Sequence, residues 1–273
     1  LSIETFGEFT IRRSDGVAVS DRVRGGRVHQ LLARLLLDRS LSRAVVAAHL
    51  WPDLDDKQAS ANLRVTLNTL LEAIEPDRRP GTSWFIPSEG GRLSLATDGI
   101  EVDLRRFEAH VTAARDSERS GRLTVALQHH RDAFALYTGE FLPRVVDSDV
   151  DHERLRLQTL AYNSGCRVGE LLLAKGEPEE AMRVILDTVS IDPFSERARR
   201  AEIRCHLALG SASAARSAAQ VLRHDLDDYG IDPDRETSAL LSRADPQETG
   251  GERSLDHDAS PRGDAGFRRR WPG

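Results

Sequence analysis

The stretch "LWPDLDDKQASANLRVTLNTLLEAIEPDR", Leu50–Arg78, decides how the rest of the chain is read. With each residue turning a helix by ~100°, Leu63, Leu67, Leu70, Leu71 and Ile74 fall in one apolar stripe. The pattern predicts an amphipathic helix from about Asp56 to Ile74, with Asp55 or Asp56 able to cap it. Its far side carries Gln58, Ala61, Asn62, Val65, Asn68, Thr69 and Glu72. A plain surface helix would show Glu and Lys there. Amides, small apolar groups and a hydroxyl suit contact with base edges and thymine methyls in a DNA major groove. They equally suit a face packed on the protein's own strands or turned to water.

The flanks narrow the choice of fold. Residues 1–20, "LSIETFGEFTIRRSDGVAVS", alternate apolar and polar with turn signals at Gly7 and Asp15-Gly16, which predicts short antiparallel strands. "DRVRGGRVHQLLARLLLDRSLSRAVVAAHLW" then carries two helical blocks. The first runs from Arg27 to Asp38; the second starts after Ser42, a good N-cap residue, and is stopped by Pro52. Beyond the Pro/Gly break "EPDRRPGTS", the pieces "WFIP" and "GRLSL" predict a hairpin joined by Ser88–Gly91.

From Val102 the pattern is helical only, and a spacing recurs. Gly121, Gly176 and Gly210 are each followed five residues later by an alanine, Ala126, Ala181 and Ala215, and the last two pairs lie 34 residues apart. That is the tetratricopeptide period: glycine tightens the turn between two helices, and a small alanine lets their backbones approach. Pro193 and Pro233 are placed to close helices. The expected architecture is mainly α with a small β component. A domain of short strands, three helices and a hairpin over residues 1–100 is followed by a tetratricopeptide-like helical domain over 101–245. "VDLRRF", Val102–Phe107, joins them with little free linker, and 246–273, rich in Gly, Pro, Asp and Arg, is expected to be a disordered tail.

Composition bounds the function. Hydrophobic residues make up 39% and charged residues 30%, which fits a globular chain. No apolar run approaches the ~18 residues of a membrane span and no leader pattern opens the sequence, so the expectation is a cytoplasmic protein with no membrane partner. Opening at Leu1 directly on a strand pattern fits a piece of a longer polypeptide. Cys166 and Cys205 lack metal-type spacing and are read as reduced, semi-buried thiols. Phosphate-loop, dinucleotide, H-E-x-x-H and nucleophile-elbow motifs are all missing, so no enzyme, cofactor or metal is expected. His129 and His130 point in different directions on a helix, and "DSDVDHE", Asp147–Glu153, lacks the glycine and spacing of a calcium loop and reads as a helix entry. The net charge of −6 opposes free-standing DNA binding, but it is uneven: residues 1–100 hold 13 basic and 13 acidic residues, residues 101–245 hold 20 and 26.

The motifs "LSIETFGEFTI", "LLARLLLD…SRAVVAAHLWPD", "ANLRVTLNTLL", "VDLRRFE" and "ALYTGEFLP" resemble, in this order, the bacterial transcriptional activator domain proteins related to antibiotic regulatory proteins, or SARPs. The similarity runs from Leu1 to about Arg243. It implies an OmpR-type winged helix joined to a tetratricopeptide-like domain, binding to promoter repeats and recruitment of RNA polymerase. Related modules also sit at one end of larger signalling ATPase regulators. On this resemblance Asp56–Ile74 is the groove-entering helix, with Gln58, Asn62, Val65, Asn68 and Thr69 facing an A/T-leaning site. Phosphate or wing contacts are expected from Arg22, Arg24, Arg27, Arg64, Arg78, Arg79 and Arg92. One departure stands out: Leu70-Leu71 occupies a place where the family usually has a basic residue, and the charges of Lys57–Glu75 cancel. Pairing of two copies on repeated sites, or help from polymerase, is then expected to support binding. The competing reading is a protein-interaction module of a larger regulator with weak or lost DNA affinity.

Overall fold

The computed structural model describes residues 1–244 apart from Arg24, Arg39 and Pro80; the segment 246–273, expected to be a disordered tail, lies outside the described residues. The N-terminal strands form as the alternation predicts. β1 (Ser2–Glu4) pairs antiparallel with β2 (Thr10–Arg12), setting Ile3 opposite Ile11. β1 also pairs in parallel with β6 (Glu101–Val102), so the opening strand lies in the middle of a three-stranded sheet. Ile3, Ile11 and Val102 all point into the core.

Four helices follow: α1 (Ser20–Val23), α2 (Gly26–Leu37), α3 (Arg43–Leu50) and α4 (Asp56–Ile74). The single turn α1 carries too short a pattern to be read from periodicity. Helix α4 starts where Asp55 Oδ1 accepts from the Gln58 backbone N–H at 2.8 Å. It buries Leu63, Leu67, Leu70, Leu71 and Ile74 against α1, α2 and α3. Ser42 does precede α3, but its side chain makes no capping hydrogen bond among the described residues. It lies instead in β3 (Leu41–Ser42), opposite Arg92.

The hairpin differs from expectation in its first arm. The strands are β4 (Ser88–Glu89) and β5 (Arg92–Leu93), turning at Gly90-Gly91, both with positive φ, and β3 adds a third strand beside β5. "WFIP" is not a strand. The Glu75 carboxylate, 7% exposed, accepts from Ser83 Oγ at 2.7 Å, Trp84 N at 3.1 Å and Phe85 N at 2.6 Å, taking backbone donors that a ladder would need.

The rest is helical: α5 (Asp103–Arg119), α6 (Leu123–Leu136), α7 (Ser148–Lys175), α8 (Pro178–Ile191), α9 (Glu196–Ala208), α10 (Ala212–Asp228) and α11 (Arg235–Ala244). Consecutive helices pack on each other, mostly across short turns, with α6 and α7 joined by the longer segment 137–147. Gly121, Gly176 and Gly210 take left-handed backbone at those turns, and Ala126, Ala181 and Ala215 are fully buried five residues on. Helix α7 also carries two glycines at points of close approach. A Cβ at Gly165 would meet Thr188 Oγ1 at 2.1 Å, and one at Gly169 would meet Ile185 Cδ1 at 2.4 Å.

The strand and helical parts share one core. β6 runs directly into α5, and the Asp103 carboxylate accepts from Thr5 N at 2.6 Å, Thr5 Oγ1 at 2.6 Å and Phe6 N at 3.0 Å. Phe6 bridges to Phe141, Gly7 N donates to Glu140 O at 2.9 Å, and Leu142 N donates to Thr5 O at 2.9 Å. Buried Leu142 has a left-handed φ of 43°, and the Arg154 guanidinium, which donates to the carbonyls of Phe141, Leu142 and Val145, holds that bend. A continuous set of buried residues therefore extends from Ile3 to Ala161. The fold is mainly α, a winged helix-turn-helix unit followed by tetratricopeptide-like helix pairs.

Candidate nucleic-acid interface

With its leucine stripe fixed in the core, α4 holds its opposite face rigidly outward. Gln58, Asn62, Val65, Asn68 and Thr69 are all exposed, as are Ala61 and Arg64. Val65 is 67% exposed, although a β-branched residue on a solvated helix face gains neither burial nor helix propensity. Thr69 Oγ1 donates back to Val65 O at 3.1 Å. Asn68 is engaged at both ends: Nδ2 donates to Glu72 Oε1 at 2.5 Å, and Oδ1 accepts from Arg78. The charges on α4, Asp56, Lys57, Arg64 and Glu72, sum to zero.

The other arginines occupy distinct settings. Arg22 lies exposed on α1. Arg27, exposed at the start of α2, donates to Gln30 Oε1 at 2.8 Å and stands 6.0 Å from the Trp51 ring centroid, within cation–π range. Arg24 falls outside the described residues. Arg78 is half-buried against Asn68, whereas Arg79 is exposed. Arg92 is on the hairpin, as expected, but braces it: Nε donates to Ser40 Oγ at 2.8 Å and one terminal nitrogen to Ser40 O at 2.7 Å. Arg78 is thus the one basic candidate hydrogen-bonded to a base-facing candidate among the described residues.

Two neighbours of this surface were not singled out from the sequence. Glu75 fixes the path from α4 to the hairpin, and Trp84, on the loop it holds, is 84% exposed. An acidic residue ending an amphipathic helix gives no hint of burial, so the pattern could not reveal the first. Trp84 follows a Pro/Gly break, but its neighbours' residue types predict a strand arm rather than an exposed loop.

His129 and His130 diverge: His129 meets His110 across α5 and α6, while His130 is buried beside Ser164 and Glu118, and burial holds its imidazole below the usual pKa. Both cysteines are free and buried, and burial raises both thiols, Cys205 to about 11. Asp147 caps α7 by accepting from Asp149 N at 2.9 Å, so the acidic run is a helix entry.

Among the described residues no helix is long and apolar enough to cross a membrane. The fold is similar to the solved structure of Mycobacterium tuberculosis EmbR in complex with a low affinity phosphopeptide, with a TM-score of 0.68 and 22% identity over 93% of this chain. The chain spans 65% of the length of that one. A search among curated proteins gave no match. Residues 102–243, the strand end of β6 and helices α5 to α11, match the model of the bacterial transcriptional activator domain, a transcription-regulator family. With more than half of its length matched, the chain belongs to the bacterial transcriptional activator domain family.

Proposed function

We propose that this chain is a sequence-specific DNA-binding transcriptional activator, with a winged-helix domain over residues 1–100 and a partner-holding helical domain over 101–245. The observation that carries the reading is the outward face of α4: amides at Gln58, Asn62 and Asn68 interleaved with Val65 and Thr69, on a helix whose other side is locked in the core. In a major groove Asn and Gln pair with adenine, and Val and Thr meet thymine methyls. Arg22, Arg24, Arg27, Arg64, Arg78 and Arg79 supply phosphate contacts, and Arg92 sets the wing. The neutral helix favours two copies on repeated sites. The acidic helical domain suits a basic surface of RNA polymerase, and the setting is the cytoplasm. Nothing in the reading requires an enzymatic step. Selection from a random duplex pool should return A/T-leaning half-sites in repeats; recovery of no preferred sequence by folded protein would contradict it.

A second reading is supported by one feature, the engagement of Asn68 by Glu72 and Arg78. If those contacts persist, α4 is a poor groove reader and the chain serves as a protein-interaction module of a larger regulator. The variant Glu72→Gln separates the two readings: it strengthens duplex binding in the first and leaves it absent in the second.

A further inference from the structure

We infer that α5 and α6 carry a site for a divalent transition-metal ion of the zinc type, formed by His110, His129 and Asp132. His129 and Asp132 are three residues apart on α6 and share a face, and His110 comes from α5 to meet them. His110 Nδ1 lies 3.2 Å from His129 Nδ1 and 3.6 Å from Asp132 Oδ2, and the three ligand atoms all fall within 4.8 Å of one another. Around a tetrahedral ion with metal–nitrogen bonds of ~2.0 to 2.1 Å, neighbouring ligand atoms stand about 3.3 to 3.4 Å apart. The two observed spacings bracket that edge.

Two imidazoles alone could share one proton across the short gap. That pairing leaves the carboxylate at 3.6 Å, beyond hydrogen-bond reach and close enough only for a charge contact with a protonated His110, whereas an ion would use all three groups at once. Asp132 is also steadied as metal-bound carboxylates are: its other oxygen accepts from Gln128 Nε2 at 2.8 Å. All three residues are partly exposed, so an ion can enter and a fourth position stays open to water. Two imidazoles and one carboxylate select zinc, cobalt, nickel or copper over magnesium and calcium. The other grouping, His49, Asp147 and Asp149, fails the same test. His49 Nε2 and Asp147 Oδ2 are 2.6 Å apart, a direct hydrogen bond, and Asp149 is paired with Arg34. An ion at His110, His129 and Asp132 would clip together the helix pair whose buried side, through Phe107, joins the strand domain's core.

The test is titration of the tag-free, chelator-treated full chain with Zn²⁺ and Co²⁺, followed by calorimetry, cobalt absorption and thermal melting. The expected result is one ion per chain, a visible cobalt band and a raised melting temperature, with Mg²⁺ inert. His110→Gln and His129→Gln should each weaken binding at least about tenfold, and Gln128→Ala about tenfold through loss of the outer hydrogen bond. His224→Gln, on α10, should change nothing. Failure of the wild-type chain to bind either ion overturns the inference, as does unchanged affinity in a folded His110→Gln/His129→Gln double variant.

Discussion

Asn68 shows how a single side chain can be readable by type and yet hidden in its use. Its position on the outer face of α4 follows from the 3.6-residue period. Its partners do not, because Arg78 reaches it only through the turn after the helix ends, where Arg78 N donates to Glu75 O at 3.2 Å. On the proposed DNA-binding reading, the two hydrogen bonds are exchanged for base contacts on binding, and Glu72 adds a charge that repels phosphate. Glu72→Gln is therefore predicted to raise duplex affinity by about 0.5 to 1 kcal/mol, the scale of one exposed charge, measured by fluorescence anisotropy at fixed salt. Unchanged affinity would show that Glu72 does not face the duplex. Asn68→Ala should relax sequence choice at one position at a cost of about 1 to 3 kcal/mol, read from competition between matched and mismatched sites.

At the scale of elements, the sequence spoke clearly wherever local chemistry decides the outcome. The Asp55 cap, the leucine stripe of α4, the Gly90-Gly91 turn and the Gly-to-Ala spacing of the helix pairs are all local signals. The errors lie where a distant group overrides one. "WFIP" has strand-like residues, but Glu75 takes its N–H groups, and the strand begins only at Ser88. Glu75→Ala leaves three partly buried donors without this acceptor and is predicted to cost about 2 kcal/mol in denaturant unfolding, with faster amide exchange at Trp84 and Phe85; a loss under about 0.5 kcal/mol would deny it that role. Gly165 was silent for the same reason, since only the seated α8 shows that nothing larger fits. Gly165→Ala should destabilise by about 1 to 3 kcal/mol as Thr188 and Phe134 are displaced, and wild-type stability would refute the close packing.

Across the whole molecule, three of the motifs that carry the family resemblance, "LSIETFGEFTI", "VDLRRFE" and "ALYTGEFLP", meet at the joint between the strand and helical parts. "TFGEF" and "TGEFLP" lie against each other, with the rings of Phe6, Phe107, Tyr137 and Phe141 meeting edge-on or tilted at centroid distances of 5.2 to 6.3 Å. A second tie runs from α2 and α3 to the start of α7, through Arg34 with Asp149 and His49 with Asp147. Burial works against the Asp147 charge, but the His49 hydrogen bond and the N–H groups of Asp149 and Val150 outweigh it and hold the carboxyl below its usual pKa. A depressed folded value gives stability that is full above the unfolded pKa of ~3.9 and is lost as pH falls through the folded one. His49→Gln should therefore raise the midpoint of acid unfolding, followed by circular dichroism, and an unmoved midpoint would remove this tie from the account. The joint also sets how the outer face of α4 is presented relative to the helical domain. Its central claim, that α4 reads duplex DNA with arginines on phosphates, meets its most direct test in binding to selected duplexes over a salt series. The account predicts a steep linear fall of log affinity with log salt, reduced in slope by about 1 and weakened alike for all sequences by Arg79→Ala, while Asn68→Ala changes sequence choice and leaves the slope intact. No duplex binding by the folded chain at low salt, or binding indifferent to both substitutions, would contradict it.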